Sequence, residues 1–208
     1  MSAGRLTQRE RRADTRSRLL QAAADLFGEH GIDGVSVDAV AKAAGRTSGA
    51  VYDHFGSKHG LLLSLLDDWS SALAAVIGAR FEVSEDLGDR LGAVWEDVCA
   101  NPDEDVRRLF LLEHELWLRA ARDSRLGEAL RERTRESTDR IARGLARWQQ
   151  EGRVTLRNDP FDAAVLFKAM VTGLHMQLQA DPRSASRGPA LQTLGDLVGA
   201  PCAVVATC

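Results

Sequence analysis

The sequence predicts an all-α chain of about nine helices, and three observations predict it. Apolar residues recur at helical spacing in segment after segment, and no run alternates apolar with polar residues as a half-buried strand does. There is a single tyrosine among 208 residues, and tyrosine is one of the aromatic and β-branched residues that strands favour. The five prolines, Pro102, Pro160, Pro182, Pro189 and Pro201, each stand where a periodic segment starts or has just stopped. They punctuate helices rather than interrupt them.

Taken in order, residues 1–18 form a basic arm expected to be flexible. Arg5, Arg9, Arg11, Arg12, Arg16 and Arg18 face only Glu10 and Asp14, a net of +4. Such an arm is either a solvated tail or a source of sequence-independent phosphate contacts. The first helix follows, with Leu19, Leu20, Ala23, Leu26 and Phe27 on one face, and closes at Gly31 and Gly34. Ser36 caps a short second helix through Ala44 that buries Val37, Val40 and Ala41. Gly45 breaks it, and Thr47 caps a third, very short helix carrying Val51 and Tyr52. Gly56 ends that one and Ser57 caps a long fourth helix, striped by Leu62, Leu65, Leu66, Trp69, Leu73, Val76 and Ile77.

Further helices are expected over about 86–100, behind Asn101-Pro102, over about 124–150, over 160–180 and from Pro189 to Val198. Gly152 ends the third of these in a left-handed turn. Asp159-Pro160 starts the next with a cap and a proline in the first turn. Residues 201–208 are read as a tail. Cys202 and Cys208 there are either a redox pair or loose thiols.

Composition narrows the class. Apolar residues make up 44% and charged residues 27%, which is enough for a packed core and far from a disordered chain. No stretch approaches 18 uninterrupted apolar residues, so no membrane span is expected. No signal-like segment opens the chain, and the three cysteines make no framework, which fits a cytoplasmic location. No nucleophile with a base, no zinc-type motif and no glycine-rich phosphate loop is present. No enzyme activity, cofactor or metal is therefore expected. The net charge is −3, but it is unevenly spread: residues 1–60 carry +2 and residues 61–208 carry −5.

The segment SVDAVAKAAGRTSGAVYDHFGSK, residues 36–58, combines a capped helix, a small residue at the crossing, a glycine turn and a second cap in register. That set makes a helix-turn-helix. Ser36 and Lys58, at the starts of two helices, are phosphate candidates. Arg46 is a candidate for a phosphate or, with both arms of its fork, a guanine. Asp53 would either accept from a cytosine amino group or pair with Arg46. Asp38 is read as a favourable charge in a first helical turn.

From about Leu19 to Leu65 the chain resembles the DNA-binding domain of the TetR family of transcriptional regulators. The resemblance lies in Phe27-Gly28 with Gly31, Gly34-Val35-Ser36, Val40-Ala41 with Ala44-Gly45, and Ser48-Gly49-Ala50-Val51-Tyr52 with His54-Phe55, Ser57-Lys58 and Leu61-Leu62. His59 departs from it, standing where an acidic residue is common. The resemblance implies an N-terminal three-helix head over 19–60, joined by the long fourth helix to a ligand-binding and dimerisation domain over 61–200. It implies a homodimer on a palindromic operator, with the third helix in the major groove and release by a small molecule. Thr47, Ser48, Gly49, Ala50, Tyr52, Asp53 and His54 would face double-stranded DNA, and Lys58 would grip a phosphate.

In the C-terminal half, Trp95, Phe110, Trp117 and Trp148 lie on the apolar stripes of different helices, with His114 beside two of them and His175 in the apolar 160–180 helix. They are either core or the lining of an effector pocket. The resemblance assigns the last two helices to a dimer interface, which makes Phe161, Met170, Leu174, Leu178, Leu191 and Leu194 its candidates. The expected function is a ligand-released repressor. An activator, or a regulator blind to ligand, would share every feature.

Overall fold

A computed structural model describes residues 7–83 and 86–197 and holds nine α-helices, with no strand among the described residues. The chain divides into two compact units, Met1–Ser70 with Leu111–Gly127, and Ser71–Phe110 with Glu128–Cys208. The first unit is therefore larger than the 19–60 head expected from sequence. It adds the start of the fourth helix and a segment from the middle of the chain.

The first unit begins with α1, Gln8–His30. Residues 8–18 were expected as a flexible arm and are instead its first three turns. A capping box explains this: the Thr7 hydroxyl accepts the Glu10 N–H at 3.3 Å and the Glu10 carboxylate accepts the Thr7 N–H at 2.7 Å. Arg18 pairs with Asp14 one turn back at 3.0 Å. Arg9, Arg11, Arg12, Arg16 and Arg18 are thus helical residues, while Arg5 lies outside the described residues. The helices α2, Val37–Ala43, and α3, Ser48–Phe55, follow. Then comes α4, Lys58–Val83. Leu19, Ala23, Phe27, Ile32, Val40, Val51, Leu61, Leu62 and Leu66 are buried in this unit, together with Leu112 and Leu116 of α6, Glu104–Ala120.

By length and composition, Lys58–Ile77 is apolar enough to cross a bilayer, with a mean hydropathy of 1.5. Its leucines Leu61, Leu62, Leu65 and Leu66 are buried in the unit, while Val76 further along is exposed.

The second unit holds α5, Leu87–Val94, continued by a π-helical turn, Trp95–Ala100. It also holds most of α7, Ser124–Gln150, with α8, Pro160–Ala180, and α9, Arg187–Leu197. The carbonyl inside the π turn finds its partner from outside the helix. In an α-helix the Val98 carbonyl would take its proton from residue 102, which is Pro102 and has no N–H. Buried His175 reaches that carbonyl instead, Nδ1 to oxygen at 2.6 Å, while Asn101 bonds back to Glu96 across the wider turn at 2.9 Å. Gly152 has φ 71° and ends α7 as expected. The tail 201–208, Val198, Cys202 and Cys208 lie outside the described residues.

Candidate nucleic-acid interface

Two side-chain caps and one glycine turn set the geometry of α2 and α3. Ser36 Oγ accepts the Ala39 N–H at 3.1 Å, and Thr47 Oγ1 accepts the Ala50 N–H at 3.3 Å. Between them Gly45 stands at φ 64°. Its N–H bonds to the Lys42 carbonyl at 3.1 Å and the Arg46 N–H to the Ala41 carbonyl at 2.8 Å, the paired closure of a Schellman turn. A side chain at Gly45 would be strained there. Buried Val40, Ala41 and Val51 fill the wedge, and the Ser48 hydroxyl donates to the Asp38 carboxylate across it. Asp38 therefore joins the two helices, beyond its place in the first turn of α2.

The α3–α4 junction is equally tight. Ser57 Oγ accepts the Gly60 N–H at 2.9 Å. A Cβ on Gly60 would stand 2.0 Å from the Phe55 carbonyl oxygen, so only glycine fits. This junction sets Lys58 at the first turn of α4, half-buried along its stem.

The outer face of this assembly carries Ser36, Thr47, Gly49, Tyr52 and Asp53, all exposed, with Ser48, Ala50 and His54 half-buried beside them. Tyr52 is 54% exposed, so it is a surface ring and not a core aromatic. Phe55 is half-buried, with the Arg16 guanidinium 5.6 Å from its ring centre. Burial and the neighbouring Arg12 guanidinium hold the His54 imidazole below the ordinary value of 6.5, Arg16 adds to this, and Asp53 opposes it. The α1 arginines thus lie close enough to α3 to act on it electrostatically.

Arg46 differs from expectation. It turns back onto α1, its guanidinium donating to Asp14 at 3.1 Å, Thr15 at 3.2 Å and the Gly45 carbonyl at 3.1 Å. Its partner is Asp14 and not Asp53, and its fork is occupied in holding the α2–α3 turn against α1. This partner sits 32 residues away in sequence; no local pattern around Arg46 points to it. The helical reach of Arg12 and Arg16 was legible, in contrast, from Thr7 and Glu10 at capping-box spacing.

The six effector candidates are divided. Trp95, Phe110 and His175 are buried in the core of the second unit, with Trp148 packed on its edge. Phe110 stacks on the His175 ring, centres 4.1 Å apart. His114 and Trp117 belong to the first unit, and Trp117 is 46% exposed. Cys99 lies in the same core, where burial pushes its thiol up to about 12.

The dimer candidates differ in exposure. Leu191 and Leu194 are fully buried and Leu178 nearly so, all in the second unit's own core. Met170 and Leu174 pack against that core. Of the six, only Phe161 is exposed, and it shares a face of α8 with exposed Val165, Leu166 and Ala169. An all-round apolar helix must be buried on two sides; α8 packs on the π turn and α9 and, through Ala163 and Ala164, on Ala142 and Leu145 of α7, while Phe161, Val165 and Leu166 stay exposed.

Comparison with known proteins agrees with this geometry. Residues 19–65 match the family model for bacterial regulatory proteins of the tetR family. Residues 88–203, more than half of the chain, match the model for the C-terminal part of BetI-type transcriptional repressors. The chain belongs to the TetR family of transcriptional regulators. Among curated relatives, the transcriptional repressor AcnR of Corynebacterium glutamicum is 34% identical over 64 residues, 31% of this chain and 34% of that one. The chain thus matches about a third of that relative's length. Two solved structures share the fold. A TetR-family transcriptional regulator from Rhodococcus sp. superposes with a TM-score of 0.73 at 25% identity, covering 90% of this chain and 100% of that one. A transcriptional regulator from Saccharomonospora viridis in complex with choline gives 0.61 at 22% identity, covering 88% and 95%. The relatives named here are transcriptional regulators.

Proposed function

We propose that this TetR-family regulator is a homodimeric, cytoplasmic repressor that binds a palindromic operator and leaves it when a small apolar or amphipathic molecule binds the C-terminal unit. The observation that carries this reading is the face formed by α3 with its flanking caps. Ser36, Thr47, Ser48, Gly49, Ala50, Tyr52, Asp53 and His54 line it, and Lys58 stands at one end. Two frames of backbone N–H groups and one ammonium suit phosphates, and an eight-residue helix between them suits a major groove.

The proposed dimer is built on the exposed face of α8 that carries Phe161, Val165 and Leu166. The proposed effector site is the aromatic cluster of Trp95, Phe110 and Trp148 about His175, in keeping with the mostly apolar lining of small-molecule sites. The choline complex of the Saccharomonospora viridis regulator supports ligand binding on this fold. Release works by population shift. Two recognition helices dock only when about 34–36 Å apart, and an effector that prefers a different separation depopulates the docking state. The long α4, whose residues belong to both units, carries the change by pivoting.

The test is selection of duplexes from the source genome by the full chain, then affinity for selected and scrambled duplexes at one salt concentration. A ratio of about 10³ or more supports the reading; equal affinities refute it. A reporter placed behind the selected site, with and without the gene, separates repression from activation.

A further inference from the structure

The second half of α6 closes onto the helix-turn-helix unit through polar contacts that neither cap nor core packing requires. Both carboxylate oxygens of Glu115 accept the N–H of Ile32, each at 3.1 Å. Ile32 is buried in the turn between α1 and α2, so this acceptor comes from a residue 83 positions away. One turn further along α6, Arg119 donates to Glu115 at 2.8 Å. It also grips Asp33 with both arms of its fork, at 2.6 Å each, the strong bidentate geometry.

Asp33 is the informative partner. Its side chain is 83% exposed, and it stands three residues before Ser36, the α2 cap placed in the phosphate-binding face. Lys58 acts on the same carboxylate and helps Arg119 hold it ionised. A bare carboxylate at this edge would repel an approaching phosphate and draw the Lys58 ammonium toward itself.

We propose that Arg119, oriented by Glu115, is a positioning residue for DNA binding: it neutralises Asp33 at the edge of the interface and leaves Lys58 directed at phosphate. The inference rests on the DNA-reading function proposed above. It makes the C-terminal end of α6 part of the DNA-reading head and assigns it a role in affinity without any contact to DNA.

The test uses full-length protein and a duplex that the wild type has selected from a random pool. Arg119→Gln, Asp33→Asn and the double variant are compared in affinity for that duplex, with thermal unfolding followed for each. Arg119→Gln is expected to bind about tenfold more weakly, since surface charge contacts are each worth a few-fold and a dimer has two heads. Asp33→Asn, which removes the charge to be masked, is expected to bind at least as tightly as wild type. In the double variant, affinity returns to within about threefold of wild type. A merely structural bridge behaves otherwise: Asp33→Asn would lose as much as Arg119→Gln, the double would not recover, and the proposal would be overturned. Equal binding by Arg119→Gln and wild type overturns it too. If Arg119→Gln does not fold, Arg119→Lys keeps the charge without the fork and is expected within about threefold of wild type; a tenfold loss by a folded Arg119→Lys refutes charge masking. A wild type that selects no duplex defeats the DNA-reading function itself, which separates that failure from this one.

Discussion

At the scale of single residues, the account depends on which side chains are free and which are already engaged. Lys58 sits at a helix start, and Lys58→Ala is expected to weaken binding to all duplexes. The salt dependence should fall by about 0.9 per lost phosphate contact, or about 1.8 for a dimer; an unchanged slope removes Lys58 from the phosphate set. His54 titrates below 6.5 because burial and Arg12 oppose its charged form. The folded head therefore binds this proton less readily than the unfolded chain. Its contribution to stability is full above pH 6.5 and declines as the pH falls below that value. A phosphate beside His54 pulls the other way, so operator affinity should rise over the same acid range. An NMR titration of His54, free and DNA-bound, checks both signs. Glu115→Ala leaves the buried Ile32 N–H without its acceptor, at a cost of roughly 1–3 kcal/mol in thermal or denaturant unfolding.

Local chemistry made many of these residues legible. Ser36, Thr47 and Gly45 announce themselves because a cap or a turn needs only its neighbours in sequence. Arg46 and Arg119 do not, because Asp14 and Asp33 lie 32 and 86 residues away. The fold brings these partners together, and no periodicity encodes such a meeting.

At the scale of elements, α1 and α8 differ most from the sequence reading. Net charge made residues 8–18 look like an arm, yet the Thr7–Glu10 box and the Asp14–Arg18 pair stabilise helix there against arginine repulsion. On α8 the apolar sequence predicted burial on two faces but not which face is inside. The structure turns Leu178 and His175 inward and leaves Phe161, Val165 and Leu166 outside. The π turn at Trp95–Ala100 shows the same limit. Pro102 was read as punctuation, while its missing N–H is answered by His175, 77 positions away. Two substitutions separate interface from core. Leu166→Glu is expected to convert the dimer to monomer in sedimentation while the monomer stays folded. Leu191→Ala is expected to cost about 2–5 kcal/mol of stability by opening a cavity, with no direct effect on the interface.

At the scale of the whole molecule, the overall charge of −3 conceals a division of labour. Of the basic residues in the first 60 positions, the described ones lie on α1, on α2, in the α2–α3 turn and at the start of α4. The acidic excess lies beyond. The division by unit is less simple than the division by sequence: residues 111–127 fold with the head, so α4 and α6 both contribute to both units. With the start of α7, α4 and α6 make three covalent connections between the units, and a pivot of α4 uses one of them. The helix count, the caps and the helix-turn-helix were readable from one chain because each follows from local spacing. The membership of 111–127 was not, because it depends on the distant partners Ile32 and Asp33.

The central claim, a dimer reading two inverted half-sites, is tested most directly by footprinting the full chain on its selected duplex while measuring the mass of the complex. The account predicts two chains per duplex and two protected half-sites related by inversion. Their centres should lie about one helical turn apart, or a whole multiple of it. A single chain on one unrepeated site, or protection without sequence preference, would contradict it.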